Sequence, residues 1–267
     1  MTHDQELLLL ADLNLAEANR EHARWLSPTA IEEQDGALFT AAGTRSPAAP
    51  FNVAMRFGDV PVAPTAFLER AQQFFGSRDR GFSVQARAHH DQDLIAHCEK
   101  AGLLRMAGRM PGMVCTHALA PRALAHRVTC RQVTLATAED FVTVSALAYE
   151  PTGLSPAVCR KVLSNPSRWL APQWHVRVIY EHDTPVAAAM LLFSHGIAGV
   201  YWVGTAPSAR GKGYADAIMR EVTNHAFERG ARCVVLQASA MGEPIYAKMG
   251  YREITTYPWF ISLAKPA

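Results

Sequence analysis

Along the first 25 residues, Leu8, Ala11, Leu15, Ala18 and His22 recur at helical spacing with charge between them. That spacing predicts a helix over residues 4–25, ended by Ser27-Pro28. Residues 41–50, AAGTRSPAAP, are rich in proline and small side chains and read as a loop. An alternation follows. A strand is expected at 51–57, and then a helix at 64–75 with Phe67, Ala71 and Phe74 on one face. A second strand is expected at 82–88. The next helix, 91–100, has Asp91 as its N-cap and Gly102 as its stop. Residues 103–115 read as extended, which completes β-α-β-α-β.

The order returns later in the chain. After a strand at 128–135 comes a helix at 138–148 with Thr137 as N-cap. A loop at 150–156 leads to a second helix ending near Ser164. Strands at 175–181 and 186–193 form a hairpin through His182-Asp-Thr-Pro185. A strand at 199–205, a helix at 214–229 closed by Gly230, a strand at 233–238, a short helix at 243–249 and a strand at 251–261 complete the pattern. Three landmarks match between the halves: FSVQA with VVLQA, EKAGL with AKMGY, and MPGM with YPWF. We read a degenerate duplication with a period of about 150 residues, far too long for a solenoid. The linker is expected between Thr116 and Arg127, giving domains 1–125 and 126–267.

Composition narrows the function. Of 267 residues, 49% are apolar and 19% charged, enough for a sizeable core. The net charge of +2 gives no electrostatic case for a nucleic-acid or membrane-surface partner. Cys98, Cys115, Cys130, Cys159 and Cys233 are odd in number and lack a C-x-x-C pair, so neither a disulfide framework nor a zinc ribbon is expected. No apolar run reaches the roughly 18 residues of a membrane span. Met1-Thr-His-Asp-Gln-Glu is acidic, the opposite of a secretory signal. A soluble, cytoplasmic protein is expected.

The chemistry concentrates in Thr205-Ala-Pro-Ser-Ala-Arg-Gly-Lys-Gly-Tyr-Ala215, between a predicted strand and a predicted helix. A helix N-terminus presents unpaired N–H groups and the positive end of the dipole, which suits a phosphate. Gly211 and Gly213 let the backbone approach an anion. Arg210 and Lys212 add charge, and Ala215 keeps the first turn narrow. The P-loop pattern fails, because Gly211-Lys212 is followed by Gly213 and Ala206 stands where the first glycine belongs. The dinucleotide fingerprint fails too. Its third glycine is replaced by Asp216, which would repel a pyrophosphate.

Arg210-x-x-Gly213-x-Ala215 resembles the acetyl-CoA pyrophosphate loop of the GCN5-related N-acetyltransferases (GNAT), whose pattern is Gln/Arg-x-x-Gly-x-Gly/Ala after the fourth strand. Ile245-Tyr246-Ala-Lys-Met-Gly250-Tyr251 resembles that family's Leu-Tyr-x-x-x-Gly-Phe at the expected distance. Ser239 falls where the family often places an Asn near the pantetheine arm. The resemblance covers 128–261. Between Phe57 and Phe67 (GDVPVAPTA) no such loop is present, so the first domain is expected to lack the cofactor site. The implied fold is α/β, a GNAT-like mixed sheet flanked by helices, in two related domains in tandem.

The resemblance also implies a mechanism. Acetyl-CoA would sit between splayed fourth and fifth strands, bonded to backbone groups of Val203, Gly204 and Thr205. The pyrophosphate would lie on residues 210–215, that is Arg210, Gly211, Lys212, Gly213, Tyr214 and Ala215, with Ser239 nearby. An amine would attack the thioester directly, and Tyr246 would protonate the leaving thiolate. The strand 199–205 lacks a carboxylate, so Glu150, His175, His195 and Glu243 stand as candidates for the base.

His89-His-Asp-Gln-Asp-Leu-Ile-Ala-His-Cys98 looks like metal-ligand material, with Asp93 and His97 at i, i+4. We read it as a capped surface helix and expect no metal. Tyr149, Pro151, Leu154, Tyr201, Trp202, Tyr257 and Trp259 form an aromatic and apolar set that would wall an acceptor pocket, though core packing accounts for most of it. The expected function is acetyl transfer from acetyl-CoA to a small-molecule or peptide amine. The alternative is an acyl-CoA-binding sensor or interaction module without turnover. A homodimer is compatible with either. The chain stops soon after Ile261, so the family's seventh strand would be absent or supplied by the first domain or another subunit.

Overall fold

The structure is a computed structural model that describes residues 2–45, 51–58 and 62–263. The second half of the predicted loop at 41–50 and part of the stretch between Phe57 and Phe67 lie outside the described residues. In chain order the elements of the first half are α1 (His3–Trp25), β1 (Ala30–Gln34), β2 (Ala37–Ala41), β3 (Asn52–Arg56), α2 (Pro64–Gly76), β4 (Phe82–Gln85), α3 (Gln92–Lys100), β5 (Leu104–Arg105) and β6 (Pro111–Cys115). The second half adds β7 (Val128–Gln132), α4 (Ala138–Tyr149), α5 (Pro156–Val162), α6 (Pro166–Trp169), β8 (Trp174–Glu181), β9 (Thr184–Ser194) and β10 (Ile197–Thr205). It ends with α7 (Tyr214–Glu228), β11 (Val234–Gln237), α8 (Glu243–Met249), β12 (Arg252–Thr256) and β13 (Trp259–Ser262).

The strands form two mixed sheets. One has the order β1-β2-β3-β4-β13-β5 and the other β7-β8-β9-β10-β11-β6-β12. The expected α/β fold, mixed sheets flanked by helices, is what the chain adopts. It divides into two compact units, neither continuous in sequence. One comprises Met1–Met113, Gln237–Glu243 and Glu253–Ala267, the other Val114–Leu236 and Pro244–Arg252.

Two expected strands each split in two. Residues 103–115 are not one extended element, because positive φ at Gly108 and Met110 turns the chain between β5 and β6. The expected strand at 251–261 breaks before Trp259, at Tyr257-Pro258, where proline has no N–H for a ladder. The two pieces in each case join different sheets. The seventh strand of the second sheet is β6, from the first half of the chain, and β13 enters the first sheet between β4 and β5. The hairpin of β1 and β2 is an element that periodicity missed. Its signal was Asp35-Gly36, a two-residue turn with φ of 52° and 75°.

Each core follows from its apolar faces. In the first unit Phe67, Leu68, Ala71, Phe74 and Phe75 of α2 bury against Phe39, Phe82 and Phe260, with the rings of Phe75 and Phe82 stacked at 4.6 Å. In the second unit Ile218, Met219, Val222 and Ala226 of α7 are buried at helical spacing, on one face of the helix. Asp91 precedes α3, but its carboxylate does not cap the helix. It accepts from the backbone N–H and guanidinium of Arg87 instead, at 2.9–3.0 Å.

Candidate active site

The site is built where two strands part. β10 pairs in parallel with β11 only at Ala198 and Gly199. From Val200 to Thr205 it runs on without that partner. On its other edge the ladder to β9 slips between Tyr201 and Gly204, and Trp202 takes φ of 53°. This bulge turns the backbone of Trp202 and Val203 out of the regular ladder.

The C-terminal end of α4 holds the bulge. Tyr149 Oη donates to the Val203 carbonyl at 3.1 Å. The Tyr149 ring meets the Trp202 ring edge-on, centroids 5.2 Å apart. Gly204 is required here, since a Cβ on it would stand 2.7 Å from Ala148 Cβ. Thr205 ends the strand with its Oγ1 buried and without a hydrogen-bond partner.

The loop after β10 has the shape its glycines allow. A single turn at Pro207–Ala209 leads to Gly211 with φ of 78° and Gly213 with φ of 83°. Gly213 caps α7 with no side-chain acceptor, so the first N–H groups of the helix have no side-chain cap. Arg210 reaches the Ala148 carbonyl at 3.4 Å. Lys212 Nζ pairs with Glu181 at 2.8 Å. Tyr214 is buried, and its hydroxyl also bonds Glu181, so the carboxylate lies below its usual range while Tyr214 rises.

Tyr246 is 8% exposed on α8, with its ring 6.1 Å from that of Tyr251. Tyr251 is anchored to Thr223 through a 2.6 Å hydroxyl pair. Burial pushes the Tyr246 phenol up to about 12, so it holds its proton at neutral pH. Tyr149 is raised too, first by burial and then by Tyr246, so two protonated phenols share this region. Ser239, in the other unit, accepts the Gly242 N–H on its Oγ at 3.2 Å, as a turn cap does.

The four base candidates separate. His195 sits in the turn between β9 and β10, at the far end of β10 from the bulge. At about 3.3 Å per residue, a strand of that length puts it well out of reach. His175 stacks on His225 of α7 at 3.8 Å, and burial first, then His225, hold it down to about 3. Glu243 pairs with Arg109 at 3.4 Å. Glu150 directly follows Tyr149 in the chain and is exposed. The aromatic set also divides. Tyr149 and Trp202 meet at the bulge, whereas Tyr257 donates to Asp12 and Trp259 lies in β13 of the six-stranded sheet.

The histidine-rich segment is a hydrogen-bond hub. His89 bridges Thr255 Oγ1 at 2.8 Å and Asp12 Oδ2 at 3.1 Å, and Asp93 is taken by Arg56 at 2.8 Å. Among the described residues no group of three or more His, Cys, Asp or Glu is arranged to hold a metal ion. Nor is any helix among them long and apolar enough to cross a membrane.

Residues 194–254, from the end of β9 into β12, match the family model of the acetyltransferase (GNAT) domain. That segment of the chain is similar to a GNAT domain. Solved structures extend the likeness over the whole chain. A GCN5-related N-acetyltransferase from Kribbella flavida aligns with a TM-score of 0.73 at 19% identity, over 94% of this chain and 95% of its own. One from Sphaerobacter thermophilus gives 0.65 at 16%, over 97% and 91%. A tandem GNAT protein from the clavulanic acid biosynthesis pathway gives 0.59 at 11%, over 99% and 97%. At these identities the shared property is the tandem GNAT fold. No curated protein matches this sequence.

The local sequence does not anticipate the Trp202 bulge or the Tyr149 clamp. No local motif marks either of them. Each depends on elements that are distant in the chain.

Proposed function

We propose that the GNAT domain binds acetyl-CoA and transfers its acetyl group to an amine by direct attack. The observation that carries this reading is the parting of β10 and β11 beside a bulge, directly followed by a glycine turn that leaves a helix N-terminus uncapped. The diphosphate of CoA suits the N–H groups at the start of α7. The pantetheine suits the open edge of β10 at Val203, Gly204 and Thr205.

In the proposed reaction the amine nitrogen attacks the thioester carbonyl carbon. The C–N bond forms as the C–S bond breaks. Backbone N–H groups at the bulge stabilise the developing oxyanion. The leaving thiolate takes a proton from Tyr246 Oη, and the amine gives up its own to a base. Burial keeps the Tyr246 phenol protonated at neutral pH, as a proton donor to the thiolate must be. Glu150 suits the base better than the three other candidates, since its carboxylate is exposed next to the Tyr149 clamp.

CoA-thiol release from acetyl-CoA against a panel of amines tests the reading, with Tyr246→Phe as control. We expect kcat to fall about 100-fold in that variant, while acetyl-CoA affinity stays within about threefold of wild type. Binding with no turnover on any amine would favour the sensor reading.

A further inference from the structure

The segment joining the halves is not a slack linker. Leu119 and Asn224 of α7 exchange two hydrogen bonds, backbone N–H to Oδ1 at 2.7 Å and Nδ2 to carbonyl at 2.9 Å. One turn earlier on α7, Arg220 donates to the Ala120 carbonyl at 2.8 Å. One turn earlier again, Arg122 Nη1 binds Asp216 Oδ2 at 2.8 Å. The strap climbs α7 toward its N-terminus and ends with a guanidinium at Gly213. A Cβ on Gly213 would stand 2.8 Å from Arg122 Nη2.

We propose that Arg122 is a ligand for the diphosphate of CoA, supplied from outside the glycine loop and held in place by Asp216. The inference rests on the CoA reading of that loop. It also accounts for the acidic residue that would otherwise repel the ligand. Asp216 is bound by both Arg122 and Arg220, so two cations and one anion leave this turn positive. Lys212 is engaged by Glu181, and Arg210 by the end of α4. Arg122 is the cation that lies against the uncapped turn, with half of its side chain open to an incoming ligand. An isolated surface ion pair contributes little. Here the strap's other hydrogen bonds have already ordered the backbone that carries the guanidinium, which lowers the cost of recruiting it.

Calorimetric titration with CoA and with 3′-dephospho-CoA, at low and high salt, tests this on R122Q, R122K and G213E. We expect R122Q to weaken both ligands by the same factor, about tenfold at low salt, as loss of one charge-assisted contact would. R122K should recover part of the loss, and the salt dependence of R122Q should be shallower than that of wild type. Unchanged affinity in R122Q, a loss confined to CoA, or no recovery in R122K would each overturn the proposal. G213E separates this failure from that of the loop reading. If G213E binds CoA like wild type, both fall. If G213E loses CoA and R122Q does not, only the role of Arg122 falls.

Discussion

The two sheets share one scheme and differ at one place. In the first, β1-β2-β3-β4-β13-β5 has a parallel pair, β3 with β4. In the second, β8-β9-β10-β11-β6-β12 repeats that order, with the parallel pair β10 and β11. β3 is paired with β2 from end to end without a bulge, and with β4 from Val53 to Met55. β10 leaves β11 after Gly199 and is kinked at Trp202. The first sheet is bordered by a buried polar network of Arg56, Arg87, Asp12 and Asp91, where the second opens. The sheet order alone does not make the site. It requires a local bulge, a helix end that holds it and a glycine turn, and only the second sheet has all three among the described residues.

The largest effect should come from the closed sheet. Arg87 is 3% exposed and binds Asp12 and Asp91. Arg87→Ala would take the guanidinium from two buried carboxylates and leave Asp91 with the guanidinium of Arg56 at 3.8 Å, a loss of about 3–5 kcal/mol by the usual cost of breaking a buried pair. Thermal melting of the first unit reads this, and a melting temperature equal to that of wild type would show that the network is not structural. Next, Gly213→Glu places a bulky anion where φ is 83° and the helix donors converge. It should lower CoA affinity at least about 100-fold by calorimetry, with the circular-dichroism spectrum retained.

A smaller effect concerns pH, and in the second unit it centres on His175. His175, buried and stacked on His225 with Arg177 and Arg229 close by, is held down to about 3 when folded, first by burial, against an ordinary value of 6.5. A folded state that refuses a proton loses stability as pH falls below the unfolded value. The effect is absent above about pH 7 and should reach on the order of 2 kcal/mol by pH 5. Denaturant melts at pH 7.5 and 5.0 check the sign, and His175→Gln should reduce the difference, leaving the part carried by buried His22 of the first unit, which is likewise held down to about 3.

Much of this was legible in the sequence, for reasons that are physical and local. The α7 helix, the Gly211 and Gly213 turn, and the Tyr246 helix all express themselves within a stretch of some dozen residues. The strand assignments of β6 and β13 were not legible. Each lies in one half of the chain and pairs in the sheet built mainly from the other, and no periodicity encodes a partner that distant. The Asp35-Gly36 hairpin was legible but masked by the polar face of β1. The Trp202 bulge was not, because its cause, the end of α4, arrives from 54 residues away.

A crystal grown with acetyl-CoA tests the central claim most directly. The account predicts the diphosphate on the N–H groups of Tyr214, Ala215 and Asp216, and the thioester beside Val203 between β10 and β11. Density for the ligand at any other place on the chain would contradict it.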